Sequence, residues 1–174
     1  MKNITVRLMK KQDEDNLLRF ETENRAFFEE GLPSRGDAYY KAEVFSGIMD
    51  SLLSEQARGE TAMYVLLDAA GEIVGRINLA DITRGPLQKA ELGYRMGKAS
   101  QGKGYATQGV AAVIKAAKEL KLHRLEAGTS PENIGSQRVL EKNGFRQVGY
   151  YQQYIRKGEN WLDALLYEKI LDEK

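Results

Sequence analysis

A glycine-rich turn set between a strand pattern and a long helix pattern constrains this chain more than any other feature. The run QGKGYA at 101–106 follows KAELGYRM at 89–96, where Ala90, Leu92, Tyr94 and Met96 alternate with Glu91, Gly93 and Arg95 as in a strand. Beyond the turn, Ala106, Val110, Val113, Ile114, Ala117 and Leu120 recur at helical spacing while Lys115, Lys118 and Lys121 fall elsewhere, which predicts an amphipathic helix. Gly102, Lys103, Gly104 and Tyr105 therefore open a helix. Its first turn has backbone N–H groups without intrahelical partners and a partial positive charge, so an anion can dock there. Glycine at 102 and 104 tolerates the dihedrals of an anion nest and lets the backbone come close to a phosphate, and Lys103 adds charge at the rim. A lone Gly-x-Gly can also be a plain flexible connection. The order strand, glycine turn, long helix favours the phosphates of a nucleotide cofactor.

Two phosphate-binding readings fail on particular residues. A P-loop needs Gly-Lys followed by Ser or Thr to hold magnesium, and Lys103 is followed by Gly104. A dinucleotide fold needs a third glycine and an acid at the tip of the next strand, but residue 107 is Thr and RLEAGT at 124–129 ends in Gly128 and Thr129. What remains is Q-x-x-G-x-A, met by Gln101, Gly104 and Ala106, which resembles the pyrophosphate-binding motif of the GNAT acetyltransferase superfamily. Downstream, TSPENIGSQRVLEKNGF at 129–145 is similar to that superfamily's second cofactor segment through Asn133, Ser136, Lys142, Gly144 and Phe145. Within the superfamily, AELGY, GKGYAT, LHRLEAGTSPEN and VLEKNGF together most resemble the ribosomal-protein N-terminal alanine acetyltransferase group, closely over residues 88–150 and elsewhere in layout.

The resemblance implies acetyl-CoA as co-substrate. Its pantetheine arm would pair with the backbone of Tyr94, Arg95 and Met96, where a main-chain N–H would also serve the oxyanion, and its pyrophosphate would sit on Gln101, Gly102, Lys103, Gly104, Tyr105 and Ala106. Asn133 and Ser136 would meet the cofactor from the next helix, although Asn133 is equally a good N-cap. Glu91 is the first choice for the base that takes the amine proton; a carboxyl with a reference pKa of about 4.3 is ionised at pH 7. An ordinary ion pair with Arg95, on the same face, is the structural alternative. Many superfamily members carry a tyrosine later in this segment as acid for the thiolate, and the aligned residue here is Leu140, so Ser136 is expected to take that role. Lys142 reads as solvated, Gly144 as a left-handed helix end and His123 as structural.

The chain has 174 residues, 42% of them hydrophobic, enough for one N-acetyltransferase domain over 1–174. Lys and Arg number 26 against 25 Asp and Glu, so net charge gives no sign of nucleic-acid or membrane binding. No cysteine is present, which excludes a cysteine acyl-enzyme and thiolate metal sites, and a single histidine gives neither a serine hydrolase nor a metal cluster. The charged start and the lack of a long apolar run lead us to expect a soluble cytoplasmic protein, monomeric or homodimeric.

Ile4, Val6 and Leu8 alternate as a first strand, Asp13 can cap a helix bearing Leu17, Leu18 and Phe20, and a second helical region falls near 38–57. Hairpins are expected at TAMYVLLD/EIVGRINLAD and FRQVGYYQQYIR/WLDALLYEKIL. The expected fold is α/β (α+β): a GNAT-like, mixed but mostly antiparallel sheet of about seven strands with about four helices. Acceptors in the superfamily bind between the first helices and the C-terminal hairpin, here near Phe27, Phe28, Glu29, Glu30, Tyr39, Tyr40, Tyr150, Tyr151 and Tyr154. Acids among aromatics would suit a cationic amine or a peptide terminus. A protein N-terminus, a polyamine and an aminoglycoside all stay open, as does a CoA-binding module without turnover.

Overall fold

The computed structural model describes residues 4–171. Seven strands form one sheet: β1 (Thr5–Leu8), β2 (Ala62–Leu67), β3 (Ile73–Thr83), β4 (Lys89–Met96), β5 (Arg124–Thr129), β6 (Arg146–Lys157) and β7 (Asn160–Ile170). Their order is β1-β2-β3-β4-β5-β7-β6, and every neighbouring pair is antiparallel except β4 and β5. Five α-helices cover it: α1 (Glu14–Glu23), α2 (Arg25–Gly31), α3 (Ala42–Ala57), α4 (Tyr105–Glu119) and α5 (Ile134–Lys142). The helix beyond the expected four is α2, separated from α1 only by Asn24, whose N–H and side-chain amide both donate to Phe20 O.

The alternation in the sequence sorts residues between two apolar layers. One layer packs Tyr64, Leu66, Ile77, Leu79, Leu92 and Met96 of the sheet against Val110, Val113 and Ala117 of α4 and Leu140 of α5. On the other face, Met63 and Val65 meet Leu17 and Phe20 of α1, Phe28 of α2 and Phe45 and Met49 of α3. With both faces covered, β2 is buried almost throughout and shows an apolar run rather than alternation.

Two local expectations change. Asp13 stands directly before α1, but its carboxylate is turned back: it accepts from both Nη atoms of Arg7 at 2.8 and 2.7 Å and from Lys10 N–H at 2.8 Å. It fastens β1 instead of capping α1. Leu8, the last residue of the alternation read for the first strand, is 43% exposed at the end of β1. Gly144 does end α5 in the left-handed region, at φ 78°, and Phe145 returns to the core with its N–H bonded to Leu140 O.

Candidate active site

The two parallel strands part. The β4–β5 register runs Lys89↔Arg124, Ala90↔Leu125, Glu91↔Glu126 and stops, while β4 continues to Met96 against β3 and β5 continues to Thr129 against β7. Gly97 N–H donates to Val74 O on the β3 side, and Gln88 O accepts from Arg124 N–H on the β5 side. Strand alternation then turns the backbone groups of Tyr94 and Met96 toward β5, beyond the end of the pairing, and those of Arg95 toward Arg76 of β3. A strand edge buried in a sheet needs hydrogen-bond partners. The gap therefore presents Tyr94 and Met96 to an extended ligand, and turns Arg95 away from it.

The glycine turn lies at the wide end of this gap. Gly102 and Gly104 have φ of 71° and 78°, and Gly104 is the residue preceding α4, whose interior bonds begin with Gln108 N–H to Gly104 O. Positive φ explains both glycines. A Cβ at Gly102 would meet no protein atom within 4 Å, so its glycine is required by backbone conformation and not by crowding. Gln101 Nε2 donates to Met96 O at 3.3 Å and folds the turn against the strand, Lys103 is exposed, Ala106 is half-buried, and Tyr105 is buried in the core. The approach to the turn is buttressed from the α1–α2 junction: Asn24 Oδ1 accepts from Lys98 N–H at 2.8 Å. A cleft of about 250 Å³ between α1 and the turn, bordered by Arg19, Glu23, Asn24 and Lys103, lies on the α1 side and is separate from the gap.

On the α5 side stands a pair of hydroxyls. Tyr94 OH donates to Ser136 Oγ at 3.0 Å, joining the strand edge to the first turn of α5. Burial pushes the Tyr94 phenol above its ordinary value, against the opposing effect of the Ser136 bond, so it keeps its proton at neutral pH. Asn133 precedes α5 and its Oδ1 accepts from Ser136 N–H at 3.0 Å, which fixes the serine and leaves the amide nitrogen of Asn133 free of this duty. Leu140 is a core residue, 1% exposed, as a leucine in place of a tyrosine requires. Lys142 is exposed.

Glu91 projects from the opposite face of β4, toward the side covered by α1, α2 and α3, at the point where pairing with β5 ends. It is exposed and makes no ion pair among the described residues. The anticipated Glu91–Arg95 contact does not form, because Arg95 turns to the buried carboxylate of Glu21. Glu91 and Ser136 thus flank the gap from its two faces and do not touch each other. Glu29 is held by Arg25 and Ser34, Phe28 and Tyr39 are core residues, and Tyr150, Tyr151 and Tyr154 are exposed on β6.

Several features escaped local pattern. The Tyr94–Ser136 bond joins residues 42 apart, so no sequence spacing announces it. Glu21 carried a readable signal: it falls one helical turn after Leu17, on the apolar stripe of α1, where a charge needs a partner. Among the described residues no group of three or more His, Cys, Asp or Glu is placed to hold a metal ion, and no helix is long and apolar enough to cross a membrane.

The site thus combines a parted parallel pair, a helix-opening glycine turn at its wide end and a hydroxyl pair beside it. Residues 3–146 match the acetyltransferase (GNAT) domain family. The chain is 37% identical to a probable N-acetyltransferase, YjcK, of Bacillus subtilis (strain 168), over 93% of this chain and 91% of that one. The ribosomal-protein-S5-alanine acetyltransferase of Vibrio fischeri superposes with a TM-score of 0.94 at 27% identity, over 99% of this chain and 96% of that one. Mycobacterium smegmatis RimJ, in complex with CoA-disulfide, does so with a TM-score of 0.87 at 27% identity, over 96% and 81%. The chain belongs to the GNAT family and is an acetyltransferase.

Proposed function

We propose that this enzyme transfers acetyl from acetyl-CoA directly to the N-terminal amine of a protein, in the cytoplasm. The early end of β4–β5 pairing at Glu91↔Glu126 carries the reading, since it leaves the Tyr94 and Met96 edge for the pantetheine arm while the turn at Gln101–Gly104 receives the pyrophosphate. Likeness to ribosomal-protein alanine acetyltransferases supports a protein N-terminus. So does basicity: an α-amine of pKa about 7.7–8.0 is far more often neutral at pH 7 than a lysine amine of about 10.4.

In the proposed sequence the neutral amine attacks the thioester carbonyl, the new C–N bond forms and the oxygen takes the negative charge, facing a β4 backbone N–H. Glu91 takes a proton from the amine, directly or through water. As the oxyanion collapses and the C–S bond breaks, the departing thiolate takes the proton of the Ser136 hydroxyl while Ser136, which already accepts from Tyr94, takes one from water, and Glu91 gives the amine proton back to solvent, so that both groups are restored.

Thiol release from acetyl-CoA with peptides beginning in alanine, combined with the mass of the acetylated product, tests this reading. Glu91→Gln is expected to lower kcat by about a hundredfold, the lower range for a general base, with acetyl-CoA binding retained. Tight CoA binding without turnover of any amine would make the chain a binding module instead.

A further inference from the structure

The face of β4 toward α1 holds more cationic than anionic charge. Glu21 is 0% exposed; its Oε1 lies 2.7 Å from Arg76 Nε, and its Oε2 meets Arg95 Nη1 only at 3.5 Å. One buried carboxylate faces two guanidinium groups. Arg76 is sealed in, with 6% of its side chain exposed, whereas Arg95 keeps 15% and sits two residues beyond Gly93, on the same face as Glu91. The Arg95 guanidinium stacks over Phe28 at 5.1 Å, and Arg35, from the loop after α2, covers the Tyr39 ring at 4.6 Å. Burial, then the like charges of Arg35 and Arg76, pull Arg95 down to about 10 against the opposing pull of Glu21, so it is still a cation at pH 7.

The acids of α2 and the loop after it that pair at all pair with Arg25, not with Arg95. Glu29 binds Arg25 and Ser34, Asp37 binds Arg25, and Glu91 makes no ion pair among the described residues. A guanidinium has five N–H donors in a planar fork suited to a carboxylate, and the side-chain acceptor given to Arg95 is at the limit of a hydrogen bond. Of the two acids expected among the aromatics, Glu29 is held by Arg25 and Ser34, while Glu30 is exposed and makes no ion pair among the described residues.

We propose that Arg95, with Arg35 beside it, receives a carboxylate of the acceptor, so that the preferred amine is a peptide N-terminus with aspartate or glutamate next to its first residue. The proposal rests on the acetyl-transfer reading above. A polyamine, cationic along its length, meets like charge at the same place.

Matched peptides beginning Ala-Glu and Ala-Gln, with spermidine as a third acceptor, compared by thiol release, supply the test. The glutamate peptide is expected to exceed the glutamine peptide in kcat/KM by about tenfold, the size of one charge-assisted hydrogen bond, with spermidine below both. Arg95→Gln should bring the two peptides toward parity by raising KM for the glutamate peptide, with KM for acetyl-CoA unchanged. Arg35→Gln, on an exposed loop, gives the same readout should Arg95→Gln fail to fold. Equal turnover of both peptides, or preference for spermidine, overturns the proposal, as does a raised acetyl-CoA KM in Arg95→Gln, which would make Arg95 a cofactor ligand. Calorimetric binding of the N-acetylated forms of the two peptides to the CoA-loaded protein is independent of turnover. If no amine is acetylated, the transfer reading fails, and a glutamate preference in binding still supports the anion site while equal binding refutes it.

Discussion

At the scale of single residues, the contact with most chemical consequence is a hydroxyl on a hydroxyl. Ser136 Oγ accepts from Tyr94 OH at 3.0 Å, and its backbone N–H is held by Asn133. A serine hydroxyl has one hydrogen to give. With Tyr94 filling a lone pair, that hydrogen is directed elsewhere, and the gap is where a departing thiolate would lie. Tyr94 is thereby a positioning residue for Ser136. Tyr94→Phe removes the bond and keeps the ring, so KM for acetyl-CoA should hold while kcat falls by about tenfold, the worth of one hydrogen bond in orienting a group. The fall should be smaller in a Ser136→Ala background, since the two act as a unit. Independent, additive losses in the double variant would separate the residues. The sequence led us to expect both near the cofactor, Ser136 through its motif and Tyr94 through its backbone, but it gave no sign that the two side chains meet. That contact crosses from strand to helix, and only folding brings it about.

At the scale of elements, the glycine turn was legible because three local rules agree there: alternation before it, helical spacing after it, and glycine where φ turns positive. What the sequence could not supply is how tightly α4 is pressed on the sheet. A Cβ on Gly109 would lie 2.6 Å from Leu66 Cδ2 and 2.8 Å from Ile77 Cδ1, both from residues with 0% exposure. Glycine inside a helix costs about 1 kcal/mol relative to alanine, so its presence here reflects the close approach. The contact seats the N-terminus of α4, and with it the turn at 102–104, beside the gap. Gly109→Val should destabilise the fold by about 1–3 kcal/mol through overpacking, read as a lower urea midpoint with unchanged slope. A midpoint equal to that of the unaltered protein would mean that the helix can lift without cost. The alternation of β4 was equally legible, whereas α2 was not separated from α1, because its one-residue break at Asn24 contains neither proline nor glycine.

At the scale of the whole molecule, the near-balance of charge conceals two buried clusters that composition cannot reveal. On the α1 side of the sheet one buried carboxylate, Glu21, meets Arg76 and Arg95, and at the C-terminal hairpin another buried carboxylate likewise meets two arginines. Glu168 of β7 is 6% exposed and pairs with Arg146 of β6 and Arg124 of β5, so one carboxylate joins three strands. That knot fixes the hairpin whose exposed tyrosines flank the proposed acceptor side, and the tip is further held by Lys157 Nζ donating to Glu30 O of α2. Hydrogen bonding from Arg146 first, then the charge of Arg124, holds the Glu168 carboxyl below its ordinary value against the effect of burial. A carboxyl lowered in the folded state stabilises the fold above its unfolded pKa of about 4.3, and the contribution disappears as pH falls through the folded value. Glu168→Gln should therefore be less stable than the unaltered protein at pH 7 by about 1–2 kcal/mol, discounted because Arg146 is largely exposed. The deficit should narrow as the pH falls below about 4, where the unaltered carboxyl also loses its charge. Urea unfolding at neutral and acid pH measures it; a deficit that stayed constant with pH would assign the effect to packing of the side chain and leave the ion pairs without a stabilising role.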